Sequence, residues 1–240
     1  MEKFVIVSAG RSGSNFLGHI IGSHPNVTYW HELFNRNNAE VVALLTRHKM
    51  LLHDKGDPIK YLGTLYDSPY NTPEIKAVGF KLLYPHARTT SWKCVWDYIR
   101  QDTHVIHLKR RNILDSYLSY RLADRENSYV SWKQDVGYNE TPLRIEMVDV
   151  KQAIKSLKRK VREMDFFLKY SNHIEVFYED ICRFPVIMGE IQKFIGVEPI
   201  SLEPQTYRQR KKPKSVMISN YEELKSQFRD SQFWEYFDEE

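Results

Sequence analysis

The sequence predicts an α/β protein with a mainly parallel central sheet flanked by helices. Three observations predict it. Short apolar runs alternate along the chain with longer segments of helical period. The first run, Phe4-Val5-Ile6-Val7, is apolar throughout, as a strand buried on both faces is. A glycine-containing turn then joins that run to a helical pattern, as after a strand of a parallel sheet.

The elements follow in order. Phe4–Val7 is the first strand, closed by Ser8-Ala9-Gly10, and Asn15–Ile21 reads as the first helix. Ala39–Leu52 has helical spacing. Ile75–Leu83 is a strand carrying Val78, Phe80, Leu82 and Leu83. Helical patterns at Ser91–Ile99 and Ile113–Leu122 flank the strand Val105–Leu108. Val150–Tyr170 places Ile154, Leu157, Val161, Met164 and Leu168 on one core-facing stripe. Its Lys155, Lys158, Arg159, Lys160 and Arg162 make the solvated side. The strand Ile174–Tyr178 and the helix Pro185–Ile195 follow. Two stretches break the rhythm. Residues 124–149 are polar and aromatic without a clean period, an insert over a site or a surface connection. Arg208–Lys214 holds five basic residues in seven, which read on their own as a solvated loop.

Size and composition narrow the class. The 240 residues and 28.6 kDa suit one domain that buries roughly 70–75% of its unfolded surface. Hydrophobic residues at 42% and charged ones at 28% exclude disordered, collagenous and coiled-coil chains. A net charge of +4 is too small for a nucleic-acid coat but permits an anionic ligand. Cys94 and Cys182 offer neither a disulfide framework nor a metal spacing, and read as buried free thiols of a reducing compartment. The N-terminal apolar run is too short for a signal peptide, and nothing approaches the ~18 apolar residues of a membrane span. The expectation is a soluble, cytoplasmic protein.

Two motifs carry chemistry. Ser8-Ala9-Gly10-Arg11-Ser12-Gly13-Ser14-Asn15-Phe16 joins strand to helix. Its glycines let N–H groups converge at a positive helix end, and Ser12 and Ser14 add hydroxyl donors, a geometry that cradles phosphate. It is neither GxGxxG nor GxxxxGK[ST], which disfavours a dinucleotide site and leaves a nucleoside triphosphate without its lysine. A purely structural tight turn is the alternative. Arg111 and Ser119, eight apart, form the second motif. Asn112 caps the intervening helix, with Asp115 placed as in a capping box. At ~1.5 Å per residue, Arg111 and Ser119 can reach one phosphate from different sides. Lys109 and Arg110 beside them also fit a merely basic surface.

Two phosphate sites at neighbouring strand ends suit a ligand with two separate phosphates. On these residues the chain resembles the sulfotransferases that use 3′-phosphoadenosine 5′-phosphosulfate (PAPS). Ser8–Phe16 is similar to the family's 5′-phosphosulfate loop, and Arg111–Ser119 to its 3′-phosphate motif. Phe177-Tyr178-Glu179-Asp180 is similar to a strand end where the tyrosine lies near the adenine. His24-Pro25-Asn26-Val27, Glu32-Leu33-Phe34-Asn35 and Ile218–Leu224 resemble the bacterial carbohydrate branch, the nodulation-factor sulfotransferases. The matching pieces run from near residue 4 to near residue 228. The resemblance implies one P-loop-like sulfotransferase domain over residues 1–240, with 124–149 on the acceptor side. It departs from the cytosolic branch at Arg11, which replaces a lysine, at Ile113, which replaces a common proline, and in lacking a C-terminal glycine-containing lid. Arg210, Lys211 and Lys212 are the candidate substitutes.

The implied reaction moves a sulfuryl group from PAPS to a hydroxyl or amine of a carbohydrate or small natural product, leaving adenosine 3′,5′-bisphosphate. Gly10, Arg11, Ser12, Gly13, Ser14, Asn15, Phe16, Arg111, Ser119, Tyr178, Arg210 and Lys211 are the implied cofactor-binding residues. Arg11 and the loop N–H groups face the charge that grows on the bridging oxygen. Glu32 is the preferred base and His86 the alternative; His31 is a rival, and His107, inside an apolar strand, reads as a core histidine. The chemistry requires no metal, and the sequence shows no ligand cluster for one. A P-loop kinase and a nucleotide- or RNA-binding module are the competing functions. The missing lysine speaks against the first, and the lack of an RNP-like strand or zinc spacing against the second.

Overall fold

A computed structural model describes residues 1–35, 57–68, 71–88, 92–126, 141–183, 185–203 and 212–238. Five parallel strands form one sheet in the order β2-β3-β1-β4-β5. They are β1 (Glu2–Ser8), β2 (Val27–Tyr29), β3 (Ala77–Leu83), β4 (His104–Lys109) and β5 (His173–Phe177). The mainly parallel sheet read from the sequence is all-parallel in the structure. From β1 the chain passes to the edge strand β2, returns to β3 beside β1, then crosses to β4 and β5 on the other side. That order puts a topological switch point at the carboxyl end of β1, where open α/β sheets bind ligands.

The period-2 alternation of β1 separates two cores. Val5 and Val7 pack with Phe80, Leu82 and Val105 on one face. That face is covered by α2 (Pro58–Tyr66), α3 (Cys94–Asp102) and the end of α5 (Met147–Leu168) through Leu62, Trp96, Met164 and Leu168. Phe4 and Ile6 pack on the other face with Ile106 and Leu108, under α1 (Ser14–Gly22), α6 (Tyr178–Arg183) and α7 (Pro185–Phe194). Gly79 lets β3 pass β1 there, because a Cβ would strike the Phe4 ring and carbonyl. A third core joins α4 (Ile113–Glu126) and the start of α5 to the C-terminal helices α8 (Lys214–Met217) and α9 (Tyr221–Ser226), through Leu118, Ile154, Leu224 and Phe228.

Local signals act as physical chemistry requires. Asp57 caps α2, its Oδ1 accepting from the N–H groups of Ile59 and Lys60 at 2.9 and 3.2 Å, with Pro58 in the first turn. Asn112 caps α4, accepting from the Asp115 N–H at 3.1 Å. The capping box does not close as the sequence suggests. The Asn112 N–H instead donates to Glu179 Oε1 at 3.1 Å, and Asp115 turns toward Arg110 and Lys214. On α5 the stripe Ile154, Leu157, Val161, Met164 and Leu168 faces inward, while Lys155, Arg159, Lys160 and Arg162 are exposed.

Other expectations are corrected. Tyr178 does not end a strand: β5 stops at Phe177 and Tyr178 opens α6. Cys94 and Cys182 are exposed rather than buried, because each lies beside the inward residue of its helix, Val95 and Ile181. The stretch 124–149 is not wholly irregular, since α4 runs to Glu126 and α5 begins at Met147. Its described remainder docks on the C-terminal region. Leu143 pairs with Ile218, and Asn220 makes two hydrogen bonds with the Ile145 backbone at 2.9 and 3.0 Å. Residues 127–140, the helix expected at Ala39–Leu52, and Arg210 and Lys211 lie outside the described residues. Among the described residues no helix is long and apolar enough to cross a membrane.

Candidate active site

The glycine turn sits at the switch point. Arg11 and Gly13 both have left-handed backbone, with φ of 62° and 86°. Gly13 is the N-cap of α1 and supplies no side chain to its first N–H groups. Its hydrogen atom faces the ring of Tyr178, and a Cβ there would overlap that ring. Gly10 differs: its conformation is ordinary, and a Cβ would meet nothing within 4 Å. The turn therefore bends at Arg11 and Gly13 and leaves open space over Gly10. Ser12 and Ser14 are buried below it. This is a concave run of backbone at an uncapped helix start, which fits a phosphate group.

The second motif meets the first through an unexpected contact. Arg11 Nε and one terminal nitrogen donate to Ser119 Oγ at 3.1 and 3.0 Å. The structure therefore joins Ser119 to the loop arginine, not to Arg111. Arg111 is half-exposed, forms a bidentate pair with Asp180 at 2.6 and 2.7 Å, and stacks on Phe177 at 4.0 Å. Arg110, which sequence reasoning passed over as background charge, lies 4.7 Å over the Tyr178 ring and reaches the Arg11 carbonyl at 3.5 Å. Tyr178 also meets Phe16 edge-on at 6.2 Å. Glu179 fixes this side: its carboxylate accepts from the N–H groups of Arg111 and Asn112 at 3.0 and 3.1 Å.

On the other side of the loop stands a residue that sequence reasoning missed. Lys81, in β3, is 2% exposed and pairs with Glu32 Oε1 at 2.6 Å. Its ammonium also donates to Asn15 Oδ1, in the first turn of α1. Asn35 donates to the other Glu32 oxygen at 2.7 Å. The signal was present, because Lys81 is the single charge inside the apolar run Ala77–Leu83. A buried lysine demands a partner, and partners at a strand end mark a site. Glu32 reaches it because His31 takes a left-handed turn, φ 48°, while the His31 carbonyl accepts from the Lys81 N–H at 2.8 Å.

The charges around Lys81 are tuned. Burial pulls Glu32 upward, but the ammonium and the two hydrogen bonds outweigh it and hold the carboxyl below its ordinary range. Burial pushes His86 and His31 down, and the Lys81 charge adds to this. His19, whose ring lies 4.9 Å from that of His31, is pushed down to about 4 by burial, then by His31 and Lys81. The base rivals differ in geometry. His86 Nδ1 faces the Leu83 N–H at 3.4 Å, which puts the ring proton on Nε2. His107 is a core histidine as expected, fully buried with Nε2 2.7 Å from the Tyr84 hydroxyl.

No protein-family model matches the chain. It is 22% identical over 248 residues to nodulation protein H of Rhizobium meliloti strain 1021, covering 99% of this chain and 95% of that protein. Its fold resembles the sulfotransferase from Alicyclobacillus acidocaldarius, with a TM-score of 0.51 and 14% identity over 98% of this chain and 94% of the other. A sulfotransferase domain from the Synechococcus PCC 7002 olefin synthase gives 0.50 and 15% over 97% and 88%. The chain has the fold of the sulfotransferases. The fold expected from its motifs is therefore the fold that it has.

Two predictions follow from this geometry. Gly13→Ala forces a left-handed alanine, which costs about 1–2 kcal/mol before the overlap with Tyr178 is counted. For a domain of this size that lowers Tm by about 2–8 °C. Gly10→Ala leaves Tm unchanged, and equal losses in scanning calorimetry would contradict the assignment of the bend. The second concerns pH. An unfolded His19 takes up its proton near 6.5 and the folded one only near 4. Its contribution to stability is complete above pH 6.5 and is lost as pH falls toward 4. His31 and His86 act in the same direction. His19→Gln therefore flattens the decline of Tm between pH 6.5 and 4; an unchanged slope would show that His19 is not held neutral.

Proposed function

We propose that this protein is a PAPS-dependent sulfotransferase whose acceptor is a hydroxyl or amine of a carbohydrate or small natural product. One observation carries the reading: the Arg11 guanidinium on Ser119 joins the two phosphate motifs into one site, with the Lys81–Glu32 pair beside it. A ligand with phosphates at both ends of an adenosine suits that span. The donor, when bound, supplies the sulfuryl group and a phosphate leaving group. Gly10, Ser12, Gly13 and Ser14 offer the cradle for the 5′ side. Arg111 and Ser119 serve the 3′ side, where Arg111 needs only to exchange an exposed Asp180 pair for a phosphate. Tyr178 and Phe16 form the aromatic wall between them.

Lys81 and Arg11 supply positive charge where the bridging oxygen becomes negative, and a fixed donor in such a place lowers the barrier by roughly 3–4 kcal/mol. Glu32 receives the acceptor's proton. Its carboxylate stays ionised because of Lys81, and each oxygen keeps a lone pair beyond those used by Lys81 and Asn35. A weak base suffices when proton transfer is concerted with attack. His86 presents a proton rather than a lone pair, so it assists as a hydrogen-bond donor. The resemblance to the carbohydrate branch supports a sugar hydroxyl as acceptor. The absent Walker lysine disfavours the kinase alternative.

Incubation with PAPS and a panel of acceptors, read by mass spectrometry, tests this directly. A product heavier by one sulfuryl group is expected, together with adenosine 3′,5′-bisphosphate. Glu32→Gln lowers turnover by about 10²–10⁴-fold while bisphosphate binding persists, and His86→Gln is milder. Near-normal turnover in Glu32→Gln with loss in His86→Gln would reverse the base assignment. A bisphosphate that raises Tm no more than AMP does would overturn the two-phosphate site.

A further inference from the structure

The opposite face of the sheet holds a second polar cluster that this chemistry does not use. His107 and Lys109 project from β4, Glu175 from β5, and Asp165 from α5. His107 shares the face of Val105, under α5, whereas Lys81 lies on the α1 face, so the cluster is separate from the proposed active site. His107 is fully buried, and Nδ1 points at Asp165 Oδ1 from 3.3 Å without completing a hydrogen bond. Asp165 Oδ1 is instead paired with the Lys109 ammonium at 2.6 Å. The Tyr84 hydroxyl lies 2.7 Å from His107 Nε2. A Tyr84 oxygen that accepts the Nε2 proton leaves the Nδ1 lone pair aimed into the cluster, which is how an outer partner prepares a metal-binding imidazole.

Charge counting points the same way. Two carboxylates, Asp165 and Glu175, share one ammonium, Lys109, at 2.6 Å each. The cluster therefore sets one ammonium against two carboxylates. The ligand atoms of His107, Asp165 and Glu175 lie within 4.8 Å of one another. One imidazole nitrogen and two carboxylate oxygens are a donor set that zinc takes, with a water in the fourth position. Two negative charges also match a divalent ion better than they match one ammonium.

We propose that His107, Asp165 and Glu175 bind a divalent transition-metal cation, in exchange with the Lys109 ammonium. The ion ties α5 to the edge of β4 and β5, and Lys109 is its built-in competitor. Lys109 lies on a flexible stem near the surface, so its head can swing into solvent as the ion enters.

Zinc alone is the probe, titrated into chelator-treated full-length protein against a chromophoric chelator. Lys109→Met removes the competitor and is expected to tighten zinc binding at least ten-fold. Asp165→Asn and Glu175→Gln are partly exposed changes that leave the fold intact by circular dichroism, and each weakens binding ten-fold or more. Cobalt in the Lys109→Met protein gives visible bands that Asp165→Asn removes. Zinc binding that is equal in all variants would place the ion on other histidines and overturn the proposal. Tightening that fails to appear in Lys109→Met would overturn it as well.

Discussion

The buried ion pair between Lys81 and Glu32 is the constraint on which the site depends. An ammonium in the middle of an apolar strand is stable only with close acceptors, and it has Glu32 and Asn15. Those partners come from two different segments, the turn after β2 and the first turn of α1. The pair therefore fixes both segments against β3 at the carboxyl edge of the sheet. It also sets the electrostatics: the carboxylate stays charged, and the ammonium helps to keep three imidazoles neutral.

A matching device works on the other side of the loop. Tyr178 presses on Gly13, Arg110 stacks on Tyr178, and Glu179 holds the backbone of Arg111 and Asn112. Each of these joins the carboxyl end of β5 to that of β4 or β1. The loop is thus gripped from both flanks while the space over Gly10 stays open. This preorganisation suits the proposed transfer, since donors fixed before reaction need no rearrangement during it.

Much of this was legible in the sequence. Continuous apolar runs identified the parallel strands, because strands buried on both faces cannot alternate. The glycine turn lies at the switch point, as its place between strand and helix implied, whereas Ser119 meets Arg11 rather than Arg111. Other features were not legible because they depend on register and on contacts between distant segments. The Arg11–Ser119 contact spans 108 residues and follows from β1 lying beside β4. Tyr178 read as strand because it follows Val176-Phe177, yet its ring lies against Gly13 and its backbone opens a helix. Lys81 was hidden by the surrounding apolar run, although a lone charge there was itself the signal. The two cysteines were misjudged because cysteine is commonly buried, and only helix phase reveals the outward face.

The central claim is that Lys81 and Glu32 act as one buried unit. A double-mutant cycle in urea unfolding, with Lys81→Met, Glu32→Gln and the combination, measures it most directly. Each single change strands a buried polar group and is expected to cost about 3–5 kcal/mol. The double variant is expected to cost less than the sum by more than about 1 kcal/mol, the range of coupling seen for groups in contact. Additive losses, or a double variant less stable than the sum, would contradict the account.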